Sequence, residues 1–326
     1  MFQKFFALAY NAFLETLRQP IYGVILVITA LLLVNNVSLA AFTLEDDNKL
    51  LLDLGLSTLL LSGLFLSSFS AAGILSREIE NKTVLIVVSK PVSRTLLILG
   101  KFVGLVAALL VAFYLSLLVF LLCQRHGVLQ NTSDPWDAPV LAFGFGSLFL
   151  SLLAGGYCNY FYGKEFPTTT LAFLAPLLTI AVLATANFDK KWNPIPFASN
   201  FVGGQVLLAT YLVFLNILVT SAVALTASTR VGQLMTLMVS TCVLALGIAS
   251  DYAFGQFEST SHLAALAYWI VPNMGPFWVI DGLHAATEQT TITMDYVGYT
   301  TAYAALFTVA ILCLGIALFE KREVGG

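Results

Sequence analysis

Eight long, predominantly apolar stretches follow one another along this chain, separated by short polar links. A helix that crosses a bilayer needs about 20 apolar residues. Inside hydrocarbon it must also satisfy its own backbone hydrogen bonds. The stretches are Ile21–Phe42, Leu51–Leu75, Phe102–Cys123, Val140–Phe161, Leu171–Ala186, Val206–Ala227, Gly232–Ser250 and Val297–Phe319. The fifth is the shortest and holds Pro176. Composition closes off the alternatives. Of 326 residues, 59% are hydrophobic and 10% are charged, against about 25% charged in a soluble domain. Too little polar surface remains to coat a cytosolic enzyme of this size. The apolar runs are continuous rather than alternating, which excludes an outer-membrane barrel. The expectation is an all-α polytopic membrane protein, with residues 1–326 forming one transmembrane domain.

Residues 1–18 read as an amphipathic helix lying in the membrane interface. Phe2, Phe5, Phe6, Ala9, Phe13 and Leu17 recur at helical spacing, with Lys4, Asn11, Glu15 and Arg18 among the polar positions. These interruptions leave no apolar core of the kind a secretory signal needs. Pro20 breaks the helix before the first span. The Lys and Arg bias sets the orientation. With the N-terminus inside, eleven of the 15 basic residues fall on the cytoplasmic side and four outside. Both termini are then cytoplasmic, and the chain is expected in the cell's inner (plasma) membrane. The apolar segment 263–283 is interrupted by Pro272, Asn273, Gly275 and Pro276. It is expected to be re-entrant or interfacial, within an outer loop spanning 251–296. Irregular backbone at that depth must be surrounded by protein or line a water-filled cavity.

The longest cytoplasmic segment is 76–101, SREIENKTVLIVVSKPVSRTLLILGK. Its pattern is a short helix, a break near Lys90–Pro91, and a second helix feeding the third span. A solvated positive loop would account for the charges alone. The short apolar stretch Val84–Val88, however, needs a surface to pack on, and the chain offers no soluble domain.

Five features occur in a fixed order. They are FALAYNAFLETLRQP, then EIENKT…SKPVSR…GK, ALTASTRVGQLMTL, IVPNMGPF, and FEKREV at the C-terminus. In this order they resemble the permease subunits of ABC transporters of the type 2 exporter class. The resemblance implies a coupling helix in the loop after the second span, seated in a groove of a separate ATPase subunit. By this resemblance Arg77, Glu78, Glu80, Lys82 and Thr83 would contact the ATPase, with Pro91, Ser93 and Arg94 bracing the return. It also implies a pair of permeases, identical or different, above two ATPase subunits that bind ATP and Mg. Six spans are usual in the class, so the fourth and fifth look like an added pair.

A phosphate-binding loop needs GxxxxGK followed by Ser or Thr. Gly100–Lys101 is followed by Phe102, and Gly163–Lys164 by Glu165. This chain is therefore expected to bind no nucleotide, and no metal or other cofactor of its own. No basic cluster suits nucleic acid; membrane lipid is the remaining expected partner. Asn35, Asn36 and Asn216 lie within spans, where a polar side chain lines a substrate path or makes an interhelical hydrogen bond. Pro272, Asn273 and Pro276 are candidates for an outer gate. Asp281, His284 and Glu288 would share a helical face, as a polar surface or as a metal or proton site. His126 and His262 read as solvated loop residues. Cys123, Cys158, Cys242 and Cys313 read as buried small hydrophobes. Gly100, Gly104 and Ala108 favour close helix packing, within the chain or between copies. A transporter or channel working without ATP, and a membrane-embedded enzyme, stand as alternative functions. The substrate is not written in the sequence.

Overall fold

The computed structural model describes residues 2–41, 47–76, 93–129, 134–197, 203–257, 261–279 and 291–320. Among these residues no strand forms; the only β feature is an isolated antiparallel bridge between Phe188 and Pro194. The α-helices are α1 (Phe2–Leu17), α2 (Pro20–Ala40), α3 (Asp47–Ala71), α4 (Arg94–His126), α5 (Ala138–Tyr162) and α6 (Phe166–Thr185). They continue with α7 (Gly204–Ser228), α8 (Gln233–Ile248), α9 (Ser250–Ala253), α10 (His262–Ile270) and α11 (Met294–Glu320). A π-helical turn, Ala72–Ser76, prolongs α3, and 3-10 turns cover Gly255–Phe257 and Gly275–Phe277.

Among the described residues, seven helices are long and apolar enough to cross a membrane: α2, α3 with its π turn, α4, α5, α6, α7 and α11. The chain is an all-α polytopic membrane protein. The expected seventh span, Gly232–Ser250, is bent, and with it the candidate spans number up to eight among the described residues. Helix α8 has 16 residues and rises only about 24 Å, short of the roughly 30 Å hydrocarbon core. It reaches spanning length only together with Ser250–Phe257, which bends away by 69°. Helix α6 begins at Phe166, five residues before the expected start, and carries Pro176 inside.

The described helices divide into two compact units. Residues 1–22, 60–109 and 208–326 form the first. Helix α7 is its most enclosed element, and small side chains set the helix spacing. A Cβ on Gly63 of α3 would come within 2.5 Å of Ile217 Cγ1, and one on Gly315 of α11 within 2.6 Å of Thr226 Oγ1. Thr226 also donates to the Ile311 carbonyl at 3.0 Å. Small-residue contacts of this kind let membrane helices approach closely and gain dispersion energy.

Helix α1 belongs to the same unit. Ala9, Ala12, Thr16 and Leu17 are its buried residues, whereas Phe2 and Phe6 are exposed. The buried side rests on Gly100 and Gly104 of α4. A Cβ on Gly104 would meet both the Ala9 carbonyl and Ala12 Cβ, the latter at 2.7 Å, and one on Gly100 would meet Leu8 Cβ at 2.9 Å. One turn on, the Tyr22 hydroxyl donates to the Ala108 carbonyl at 2.8 Å. The Gly100–Gly104–Ala108 face is thus occupied within the chain, and Phe2 and Phe6 are left exposed.

Residues 23–59 and 110–207 form the second unit. The α5–α6 hairpin turns through Gly163, whose φ of 62° suits glycine. Its helices touch at Gly155 and Thr170. Ser147 adds a 3.1 Å hydrogen bond to the Leu177 carbonyl. Leu115, Leu118, Leu122, Val140 and Leu178 form an apolar cluster between α4 and this hairpin. Asp137, fully buried, caps α5 by accepting from the Val140 amide at 3.2 Å, and lies 3.8 Å from Arg125. After α6, the Asp189 carboxylate accepts from the Lys191 amide, the Asn193 amide and the Asn193 side chain, each at 2.8 Å. Led by the Asn193 side chain, these donors hold its carboxyl below the usual carboxylate range. They also fix Trp192 at a φ of 67°, where it packs against Phe143 and Phe188. Tyr157, Tyr160, Phe161 and Tyr162 are exposed near the end of α5, as aromatic residues are at a membrane interface.

Two expectations about single residues need correction. His126 is not a solvated loop residue: it closes the last turn of α4 and is 7% exposed. Cys123 is buried, but Cys242 and Cys313 are exposed, because the helix faces they occupy point away from protein.

Candidate functional site

The segment singled out by sequence leaves and re-enters the first unit at one joint. Arg77, Glu78, Glu80, Lys82, Thr83 and Pro91 lie outside the described residues. Ser93 and Arg94 are described, and they start α4. The Ser93 hydroxyl accepts from the Leu96 amide at 3.2 Å, an N-cap that satisfies one of the helix's orphan donors. Arg94 turns to the far end of the chain. Its guanidinium donates to the Glu320 carbonyl at 2.6 Å and the Phe319 carbonyl at 3.2 Å, and lies over the Phe319 ring. Arg230, in the turn between α7 and α8, donates to the Leu318 carbonyl at 2.5 Å. The last carbonyls of a helix have no partner within it, and the helix dipole favours a cation there. Two arginines meet both needs at the end of α11.

On the other side of the joint stands the π turn. Gly73 is pressed against Gln19, whose Nε2 would lie 2.5 Å from a Cβ at that position. The Ile74 carbonyl accepts from Lys101 Nζ at 2.5 Å. Lys101 is 4% exposed and stands two turns inside α4, not in the loop to which its charge had assigned it. A buried ammonium is costly unless it is hydrogen-bonded. The acceptor here is a carbonyl of the π turn that prolongs α3. This bond ties the helix entering the loop to the helix leaving it. Gln19, the π turn, the start of α4 and the end of α11 therefore converge on the base of the 77–92 loop.

The broken segment forms a second cluster, also within the first unit. Helix α10 starts at His262, capped by Ser261, and stops at Ile270, two residues before Pro272. Asn273 then organises the turn. Its side-chain amide donates to Asp251 Oδ1 at 2.7 Å, and its side-chain oxygen accepts from the Gly275 amide at 2.8 Å. Its backbone amide donates to the Tyr303 hydroxyl at 2.7 Å. Tyr268 donates to the same Asp251 oxygen at 2.8 Å. The next amide, Met274, bonds to the Gly247 carbonyl at 2.9 Å, and a Cβ on Gly247 would collide with Met274 and the Pro272 carbonyl. Tyr296 donates to the Pro276 carbonyl at 2.7 Å. Pro272, Asn273 and Pro276 thus sit in one turn fastened to α8, α9, α10 and α11.

The three asparagines have different surroundings. Asn35 is exposed. Asn36 is 4% exposed and donates to Thr58 Oγ1 at 3.0 Å, joining α2 to α3 in the second unit. Asn216 is 2% exposed in the first unit and accepts from Thr220 within α7 at 3.3 Å. Asp281, His284 and Glu288 lie outside the described residues. Among the described residues, no three His, Cys, Asp or Glu side chains gather as a metal site would require.

Reading the sequence missed the partners that hold these sites. Lys101 was counted only as a cytoplasmic charge, though its place between Gly100 and Gly104, on a face packed against α1, was the available signal. Asp251 was passed over because the span before it was drawn straight to Ser250. Tyr268 and Tyr303 carried no signal at all, since an aromatic residue in an apolar run reads as lipid-facing. In comparisons with known proteins, no family model matches the chain, and no curated protein sequence matches it.

Proposed function

We propose that the chain is the transmembrane permease subunit of an ATP-driven ABC exporter, forming the substrate path and working with a separate ATPase subunit. The observation that supports this reading is the joint beneath the 77–92 loop. A coupling element must pass a displacement to several spans at once, which requires stiff anchorage at its base. Here the Lys101–Ile74 bond links the helices on either side of the loop, and Arg94 links the exit helix to the end of α11. The interfacial helix packs on that same stretch of α4. A push on the loop would reach α1, α3, α4 and α11 together. The charged EIENK run fits the contact itself, since interfaces that must move are modest and polar, with charges setting register. The partner's nucleotide states must contact the loop differently, or hydrolysis could not bias the permease.

The order of the five sequence features and the absence of a phosphate-binding loop belong to the same reading: this chain transports, and its partner hydrolyses ATP. The broken segment, with Pro272, Asn273 and Pro276, would act as the exit gate, moving against the α8–α9 bend. The test is purification of the tagged protein from its host in mild detergent, with mass spectrometry of what accompanies it. A stoichiometric partner of about 25–35 kDa carrying GxxxxGK[ST] is expected. Recovery of the chain without such a partner, even after crosslinking through residues 77–92, would overturn the reading. Ion-gradient transport in liposomes by the chain alone would favour a secondary transporter instead.

A further inference from the structure

The second unit holds a cavity of about 370 Å³ walled by α2, α4, α5 and α6. Its lining is hydrocarbon except at one end, where Ser38, His126 and Trp136 stand. Ala30 and Ser38 both line it from α2. Eight residues of helix separate them, so the cavity runs about 12 Å along the helix axis. That is most of the roughly 15 Å that one leaflet contributes to the hydrocarbon core.

Three kinds of occupant can be compared. Water needs two to four polar partners in such a space, and away from one end the lining offers none. A helix from a second copy, about 10 Å across, would meet the same apolar lining, and the crosslinks described below separate it from lipid. A hydrocarbon chain is slender and apolar, and it is the solvent on the open side of these helices. The polar end matches the place where such a chain meets its head. His126 is buried, with Nδ1 2.9 Å from the Gly127 carbonyl. Trp136 stands edge-on to it, with ring centroids 6.0 Å apart, and is 64% exposed, as a tryptophan at the interface is.

We propose that this cavity is a lipid site that takes one acyl chain of a membrane glycerophospholipid. The chain end lies towards Ala30 and Leu148, and the glycerol region lies at His126 and Trp136. The α5–α6 hairpin supplies one wall of the site, which gives that hairpin a role: it holds a lipid against α2 and α4. The inference rests on the membrane fold and the cavity, and is independent of the transport reading.

The full-length protein is reconstituted in phospholipid vesicles containing a small fraction of phosphatidylcholine with a diazirine midway along one chain. After illumination, adducts are mapped by mass spectrometry. Adducts at Leu122 and Leu178, lining residues that are otherwise buried, are expected to exceed those at Leu150 and Leu153, exposed residues on α5, by about tenfold, a preference of about 1.4 kcal/mol. Gly144→Phe fills the cavity, since a Cβ there meets only Leu122 Cδ1, at 3.5 Å. It should abolish the excess and leave labelling at Leu150 unchanged. Gly146→Phe, where a Cβ would meet nothing within 4 Å, should preserve the excess. Ala30→Phe blocks the deep end and serves if Gly144→Phe does not fold. Equal labelling of cavity and surface residues would overturn the proposal. So would an excess that survives both blocking variants, or crosslinks joining cavity residues to a second copy.

Discussion

Lys101 is the residue on which the joint beneath the loop depends most directly. Its ammonium is buried and bonded to the Ile74 carbonyl, so neither group has water to fall back on. Lys101→Met keeps the length and apolar body of the side chain and removes the donor. Leaving a buried polar group unpaired costs about 1–3 kcal/mol, and thermal unfolding of the detergent-solubilised variant should occur at a correspondingly lower temperature. An unchanged midpoint would show that the bond is dispensable. Asn273 plays the equivalent part in the broken segment, where one side chain both accepts from Gly275 and donates to Asp251. Asn273→Ala deletes both bonds and should release the turn. Faster hydrogen exchange at the amides of residues 273 and 274 would report that release, because these amides are bonded to Tyr303 and Gly247. Exchange at wild-type rates would mean that Tyr303 and the Gly247 carbonyl hold the turn without it.

Helix α1 shows how an element can be legible in sequence while its orientation is not. The three- and four-residue spacing of its phenylalanines marks an amphipathic helix, and the helix is there. The spacing does not say which residues pack on protein; in water, where burying the largest apolar area gains most, they would be the bulky apolar ones. In a membrane, lipid is as apolar as phenylalanine, so packing is governed by close approach, and small residues win. Ala9, Ala12 and Thr16 therefore face protein, and Phe2 and Phe6 face out. The same physics explains why the long spans were legible, since backbone satisfaction alone demands them. It also explains why the bend after α8 was not, because it depends on Gly247 meeting Met274 and on Asp251 meeting Asn273, contacts far apart in sequence. Gly104→Leu tests this packing. The clash falls on the Ala9 backbone, which cannot rotate away, so α1 should lift from α4. A cysteine placed at position 9 should then become reactive to a water-soluble maleimide. Gly23→Leu, at a site with nothing within 4 Å, should leave that cysteine protected. Reactivity unchanged by Gly104→Leu would mean that α1 is held by other contacts.

At the scale of the whole molecule, a chain of this composition can do work against a gradient only if something outside it supplies the energy. The polar segment 77–92 is where that energy would enter under the coupling reading, and Glu78 and Glu80 are its paired acidic charges. Charges at such a contact set register and orientation more than raw affinity. Replacing both with Lys reverses both charges and leaves the sequence of every span intact, so membrane insertion and thermal stability should stay as in wild type. The partner ATPase would then meet a cation where it expects a carboxylate, and the nucleotide-dependent displacement would no longer reach the Lys101 joint. In proteoliposomes containing both subunits, the double variant should hydrolyse ATP at a rate no longer tied to transport, with export reduced to background. If export by Glu78→Lys/Glu80→Lys matched wild type while the protein remained folded, the energy would have to enter elsewhere. The anchored base of the loop would then be a packing feature rather than a lever.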